Sequence, residues 1–167
     1  MSAKELARLD KSIERLKDQL AHKRDTLVTI APEEKARIKQ QIEDLRTEIR
    51  DFEREKWELL AQLTEDLSIS NEEAETIVAE IVTTEGAIIA SPPTGTPPEV
   101  LTLLQRILDK LSEPESNAAA KLKGAFSTFP PFIGITYEAE LDTEQTLRRY
   151  FPTFRQWARG LTERLKK

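Results

Sequence analysis

Leucine and isoleucine recur at coiled-coil spacing in two runs, and a proline separates them. Leu6, Leu9, Ile13, Leu16, Leu20 and Leu27 stand 3, 4, 3, 4 and 7 residues apart. After Ala31-Pro32 the rhythm restarts as Ile38, Ile42, Leu45, Ile49, Phe52, Leu59 and Leu63. This pattern predicts two long helices folded back as an antiparallel coiled-coil hairpin over residues 1–66. Such a hairpin holds partners together and performs no chemistry of its own.

The two arms are unequal. Helix 1 is expected from Ser2 to Val28, with Ser2 and Glu5 in a capping-box pattern. Helix 2 is expected from Pro32 to Glu65, opened by the proline and by Glu33 and Glu34 at the positive end of the helix dipole. At ~1.5 Å per residue, the arms span roughly 40 Å and roughly 50 Å. Folding about residue 31 places Leu6 near Lys56. Trp57, Leu59, Leu60 and Leu63 then project past the start of helix 1 and need cover, so the C-terminal region is expected to dock there. Two seam positions are lysines, Lys23 and Lys56. They either snorkel to water or penalise wrong registers. One seam between two helices is marginal, so a second copy or a third helix is expected to complete a bundle.

Composition narrows the class. Charged residues make up 33% and aromatics 6% of the 167 residues, which suits long solvated helices better than a large globular core. There is no cysteine. That excludes disulfides, thiolate nucleophiles and cysteine zinc sites, and makes a reducing cytoplasm the expected compartment. The longest apolar runs, such as Ala87-Ile88-Ile89-Ala90, are too short to span a bilayer, so no membrane-spanning segment is expected. Met1-Ser2-Ala3-Lys4-Glu5 enters a charged helix at once, without a signal-peptide pattern.

The net charge of −5 hides a segregation. Residues 67–99 hold six acidic groups and no basic one. Residues 148–167 hold seven basic groups against Glu163 alone. The chain has an acidic middle and a basic tail.

Beyond the hairpin, residues 67–98 read as an acidic helix and a connector. Ser70 and Glu73 form a second capping box, opening a helix with Ala74, Ile77, Val78, Ile81 and Val82 on its apolar face. Gly86 is expected to end it, leaving Ile88-Ile89 as a short strand or a buried bend. Ser91 to Pro98 contains four prolines and is a stiff connector. Thr96-Pro97-Pro98-Glu99 reads as cap, first-turn proline and glutamate of the next helix. Val100, Leu101, Leu103, Leu104, Ile107, Leu108 and Leu111 give that helix a wide apolar stripe, which should centre the C-terminal core. Residues 99–167 are expected to form a small helical domain with at least one strand, Ile133 to Leu141, where apolar and polar residues alternate. Short helices flank it, Ser116 to Phe126 before and one capped by Asp142 with Gln145 after. Pro152 breaks the latter, and a last helix, Thr153 to Lys167, presents Phe154, Trp157, Leu161 and Leu165.

Candidate chemistry is sparse. His22 is the single histidine and lies among charged neighbours, so it reads as exposed filler and supports neither a zinc site nor a serine–histidine–aspartate triad. Glu138, Glu140 and Asp142 share one strand face. They could bind Mg²⁺ or act as acid and base, or simply solvate that face and end in a helix cap. The five glycines fall in no phosphate-cradling pattern. No cofactor is expected. The strongest binding signal is the tail, where Arg148, Arg149, Arg155, Arg159 and Arg164 alternate with Tyr150, Phe151, Phe154 and Trp157. Arginines with stackable rings can hold nucleic acid, and a basic amphipathic helix can lie on an anionic membrane, although no membrane partner is expected. Alternatively, the rings are core and the arginines pair with residues 72–85 or stay in water. The negative overall charge argues against nucleic acid.

The stretch Lys121 to Trp157 resembles small effector-associated modules of bacterial, especially cyanobacterial, signalling and conflict proteins. The resemblance rests on Leu122, Phe126, Pro130-Pro131, Ile135, Tyr137-Glu138, Leu147-Arg148-Arg149 and Phe151-Pro152-Thr153-Phe154. Such modules accompany NACHT-type and other STAND NTPases or proteases, and recruit a cognate partner as adaptors. The stretch covers under a quarter of the chain, and no NTPase, protease or nuclease signature is present. The resemblance therefore implies a detached adaptor or regulatory subunit whose effector is another protein.

Together these readings describe a mainly α, non-enzymatic protein–protein interaction module. It would self-associate through the coiled coil as a homo-oligomer and recruit a protein partner through the C-terminal domain. Trp57, Leu60, Leu63, Arg148, Arg149, Arg155, Trp157 and Arg159 are the expected contact residues. The alternative is a nucleic-acid accessory protein using the basic-aromatic tail.

Overall fold

The computed structural model describes residues 2–114, 116–130 and 143–166. Among these the chain is mainly helical, and there is no strand. The helices are α1 (Ser2–Thr29), α2 (Lys35–Glu65), α3 (Asn71–Ala90), α4 (Pro98–Leu111), α5 (Ala118–Thr128), α6 (Thr143–Tyr150) and α7 (Pro152–Lys166). The strand expected over Ile133 to Leu141 lies outside the described residues. So do Glu138, Glu140 and Asp142.

The first two helices form an antiparallel hairpin within one chain. Leu16, Leu20, Ile38, Ile42 and Ile49 are buried along its shaft, with Leu27, Ile30, Leu45 and Phe52 packed against them. The break between the arms follows from Pro32. Ala31 is extended (φ −60°, ψ 142°), as a residue before proline tends to be. Pro32–Glu34 then make one 3₁₀ turn before α2 proper begins at Lys35. Two ion pairs fix the register, Lys17 to Glu53 at 3.3 Å and Lys56 to Asp10 at 2.7 Å. They are symmetric about residues 35 and 33, so the hairpin folds a little beyond residue 31. The 3₁₀ turn belongs to the bend and not to the paired arm. Lys56 accordingly meets Asp10 across the seam instead of only reaching water.

The buried face of α2 also changes along its length. The heptad puts Phe52, Lys56, Leu59 and Leu63 on the seam. In the structure, the buried positions after Ile49 are Glu53, Trp57, Leu60 and Thr64, while Phe52, Leu59 and Leu63 are partly buried. A 3.6-residue helix drifts against a 3.5-residue repeat. Here the drift coincides with added partners, since α2 keeps α1 alongside and also enters the head. The cost is one buried carboxylate, Glu53, held by Lys17.

The head is one core to which every helix contributes. Leu6, Trp57 and Leu60 from the hairpin base are buried together with residues of α3, α4, α5, α6 and α7. Val100, Leu103, Leu104, Ile107, Leu108 and Leu111 are all buried, so α4 is central as its stripe predicts. The middle of this core is aromatic. Trp57 lies 4.2 Å from Phe129 and 5.5 Å from Phe126 between ring centroids, and Phe126 lies 5.6 Å from Phe154. Tilted rings at these separations add to their burial energy. The expected docking of the C-terminal region onto Trp57 and Leu60 is therefore what closes the fold.

Local signals explain the remaining boundaries. The Glu73 amide donates to Ser70 Oγ at 3.2 Å, completing the cap that opens α3. That helix does not stop at Gly86. It runs to Ala90, and Ile88 and Ile89 are helical and packed against the head core. Their burial outweighs the roughly 1 kcal/mol that a mid-helix glycine costs. The connector turns at Gly95, whose φ of +82° suits glycine. Thr96 does not cap α4. Its hydroxyl donates to the Pro93 carbonyl inside the turn, and Pro97 occupies the cap position. Asn117 caps α5 by accepting from the Ala120 amide at 2.8 Å. Lys123 of α5 donates to the Glu65 carbonyl at 3.0 Å, which places a cation at the negative end of α2. Among the described residues, no helix is long and apolar enough to cross a membrane.

Candidate functional site at the base of the hairpin

Helices α1, α2, α6 and α7 meet around a cleft of about 350 Å³. Asp10 comes from α1, and Lys56, Trp57 and Leu60 come from α2. Glu144 and Arg148 come from α6. Arg155, Ala158, Arg159, Thr162 and Glu163 come from α7, where spacings of three and four align them on one helical face. Five residues expected from sequence to make contacts thus converge: Trp57, Leu60, Arg148, Arg155 and Arg159.

The electrostatics are uneven. Arg155 Nε donates to Glu144 Oε1 at 2.6 Å, and its Nη2 pairs with the same oxygen. Arg148 Nε approaches that oxygen too, at 3.4 Å. Two guanidinium groups therefore share one carboxylate oxygen. Lys56 is matched by Asp10. Arg159 and Glu163 are exposed, and among the described residues neither forms an ion pair. Four cations face three carboxylates, so the cleft carries a small positive excess. The Thr162 hydroxyl is already committed to the Ala158 carbonyl, at 2.9 Å. Such a site can hold an anionic group by charge-assisted hydrogen bonds.

The other expected contact residues lie elsewhere. Leu63 is partly buried against the head core. Trp157 packs edge-on to Phe126, with centroids 5.2 Å apart. Arg149 is exposed and sits over the Tyr150 ring at 5.5 Å. Trp57 and Leu60 form the floor of the cleft and are at the same time buried in their own chain's core, with 7% and 0% exposure. His22 is exposed on the shaft. Of the tail arginines and the acidic stretch 72–85, the structure pairs Arg164 with Glu73, at 3.1 Å.

Sequence reasoning missed Glu85. It reads as one more acid of α3, yet it is fully buried. Its carboxylate accepts from the backbone amides of Thr153 at 3.1 Å and Phe154 at 3.3 Å, capping α7 from a distant helix. Burial pushes its pKa up to about 7, against the opposing pull of the hydrogen bonds from Thr153 and Phe154. The only signal was its position on the apolar side, four residues beyond Ile81. Asp10 and Glu144, which organise the cleft, were also missed, because neither stands in a local motif.

No family model, curated protein or solved structure matches this chain.

Proposed function

We propose that this chain is a non-enzymatic interaction module that recruits a protein partner through the cleft at the base of its hairpin. The observation that carries the reading is the convergence of Arg148, Arg155 and Arg159 with Lys56 on one cleft between shaft and head. The positive excess there would steer an acidic partner. The shaft would act as an extended arm that sets the distance between contacts at the tip and contacts at the base. The resemblance over residues 121–157 suggests an NTPase or protease effector as the partner, in the cytoplasm.

Homo-oligomerisation belongs to the same reading, and the surface limits where it could occur. Val28 at the hairpin tip and Val82 on α3 are the exposed large hydrophobics among the described residues. A second copy would therefore meet at the tip, or along the partly buried flank formed by Leu45 and Phe52. Nucleic-acid binding is the weaker alternative. Tyr150, Phe151 and Phe154 are buried, which removes three of the rings that bases would stack on.

Capture from host cells, with the intact chain and an Arg155→Glu/Arg159→Glu variant as baits, tests the recruitment. A stoichiometric partner held by the first and lost by the second is expected. No partner on either bait would end the reading. Sedimentation equilibrium tests the self-association, and a concentration-independent monomer would remove that half.

A further inference from the structure

We propose that the cleft is a carboxylate receptor, in which Arg159 binds an aspartate or glutamate side chain on an acidic segment of the partner. This rests on the reading of the chain as a recruiting module and names the chemistry of what it recruits.

The geometry supports a carboxylate in three ways. First, the donors are unevenly committed. Glu144 Oε1 already serves Arg155 and Arg148, and its link to Arg148 is long at 3.4 Å. Arg148 therefore has donor capacity beyond this contact. Arg159 stands one helical turn after Arg155 and has no ion pair among the described residues. An incoming carboxylate would complete a ladder that alternates guanidinium and carboxylate groups. Arginine suits that role because its planar fork matches a carboxylate in two parallel bonds.

Second, the site is placed against a firm wall. The Arg155 side chain is only 19% exposed and is fixed by Glu144. The floor of Trp57 and Leu60 belongs to the packed core. This wall is pre-organised, so the ordering cost of binding falls mainly on Arg159.

Third, the charge count selects the ligand. Asp10, Glu144 and Glu163 line the same cleft as the four cations. A polyphosphate backbone would be repelled by these carboxylates along its length. A single carboxylate, with one charge against an excess of one, would not.

Fluorescence anisotropy with the full chain tests this, using as the probe a fluorescein-labelled peptide with one glutamate among glycines and serines. The matching glutamine peptide and a twelve-nucleotide oligothymidylate serve as competitors. Saturable binding of the glutamate peptide is expected, weakening as salt rises. Arg159→Glu should lower its affinity about tenfold, and Arg159→Gln should lower it less. Glu163→Gln should move it the other way, tightening it about threefold, since it removes a competing charge from the rim. Because Arg159 and Glu163 are both exposed, melting temperatures should stay at the wild-type value, and the opposite signs exclude a general loss of folding. Absence of saturable binding would overturn the proposal, as would equal affinity in wild type and Arg159→Glu. Stronger competition by the oligothymidylate than by the unlabelled glutamate peptide would overturn it in favour of nucleic acid. The broader reading fails separately. A partner captured from cells and retained by Arg159→Glu would keep the recruiting module and discard the carboxylate receptor.

Discussion

The shaft and the head are built on different principles, although α2 runs through both. The shaft is held by a single line of aliphatic residues, of which Leu16, Leu20, Ile38, Ile42 and Ile49 are buried. Its contacts pair one arm with the other in a single simple register, as Lys17 with Glu53. The head gathers residues as distant as Leu6 and Leu161 around a cluster of rings. The shaft can relax around a defect, because each layer touches two helices and then water. The head cannot, because Phe126 meets Trp57, Phe154 and Trp157 at once. Burial of similar residues should therefore contribute differently to stability in the two regions.

The sharpest way to break this contrast is Phe126→Ala. The fully buried ring leaves a cavity that three other rings line, and a loss of about 4 kcal/mol is expected in denaturant unfolding. A loss no larger than that of a shaft substitution would mean that the head is as yielding as the shaft. Next in size is the effect of pH on the head through Glu85. Its folded pKa of about 7 lies above the ordinary 4.5. The folded chain then keeps a proton that the unfolded chain releases between these values. Stability from this group is highest below pH 4.5 and declines as pH rises toward 7, by up to about 3 kcal/mol. Stability measured against pH for wild type and Glu85→Gln should show the decline as a difference between the two curves. Parallel curves would show that Glu85 does not keep its proton in the folded state. The smallest effect is expected in the shaft. Leu16→Ala should cost about 2 kcal/mol, at the low end for such changes, because the helix pair can close around the gap. Circular dichroism melts of Leu16→Ala and Phe126→Ala, taken together, order the two regions.

The same contrast decided what could be read from sequence. Leu6 to Leu20 and Ile38 to Ile49 were legible because a repeat of three and four residues states which side of a helix is buried. The docking of Trp57 and Leu60 was expected from an overhang that the observed register removes, because folding beyond residue 31 sets Lys56 against Asp10 and keeps α1 alongside α2 past Leu59; the head covers these two side chains from the side that the seam leaves open. The repeat then misled beyond Ile49. There α2 buries Glu53, Trp57, Leu60 and Thr64 against a mixed neighbourhood that no local pattern encodes. Gly86 misled for a similar reason, since the head core holds Ile88 and Ile89 in a helix that their local sequence would end. In the cleft, the arginines were legible as a basic run. Their carboxylate partners Asp10 and Glu144 were not, because the pairing depends on how four helices meet. Glu85 was invisible for the same reason, as its ligands are backbone amides 68 and 69 residues away.

The unbroken course of α2 has a mechanical consequence. From Lys35 to Trp57 no residue leaves the helix, a run of about 33 Å at 1.5 Å per residue. Trp57 seats that rod among the rings and also forms part of the cleft floor. A sideways load applied near Val28 would therefore not dissipate in a flexible joint. It would arrive as torque on the tryptophan, with the ring cluster as fulcrum and Lys56 and Asp10 on the moving side.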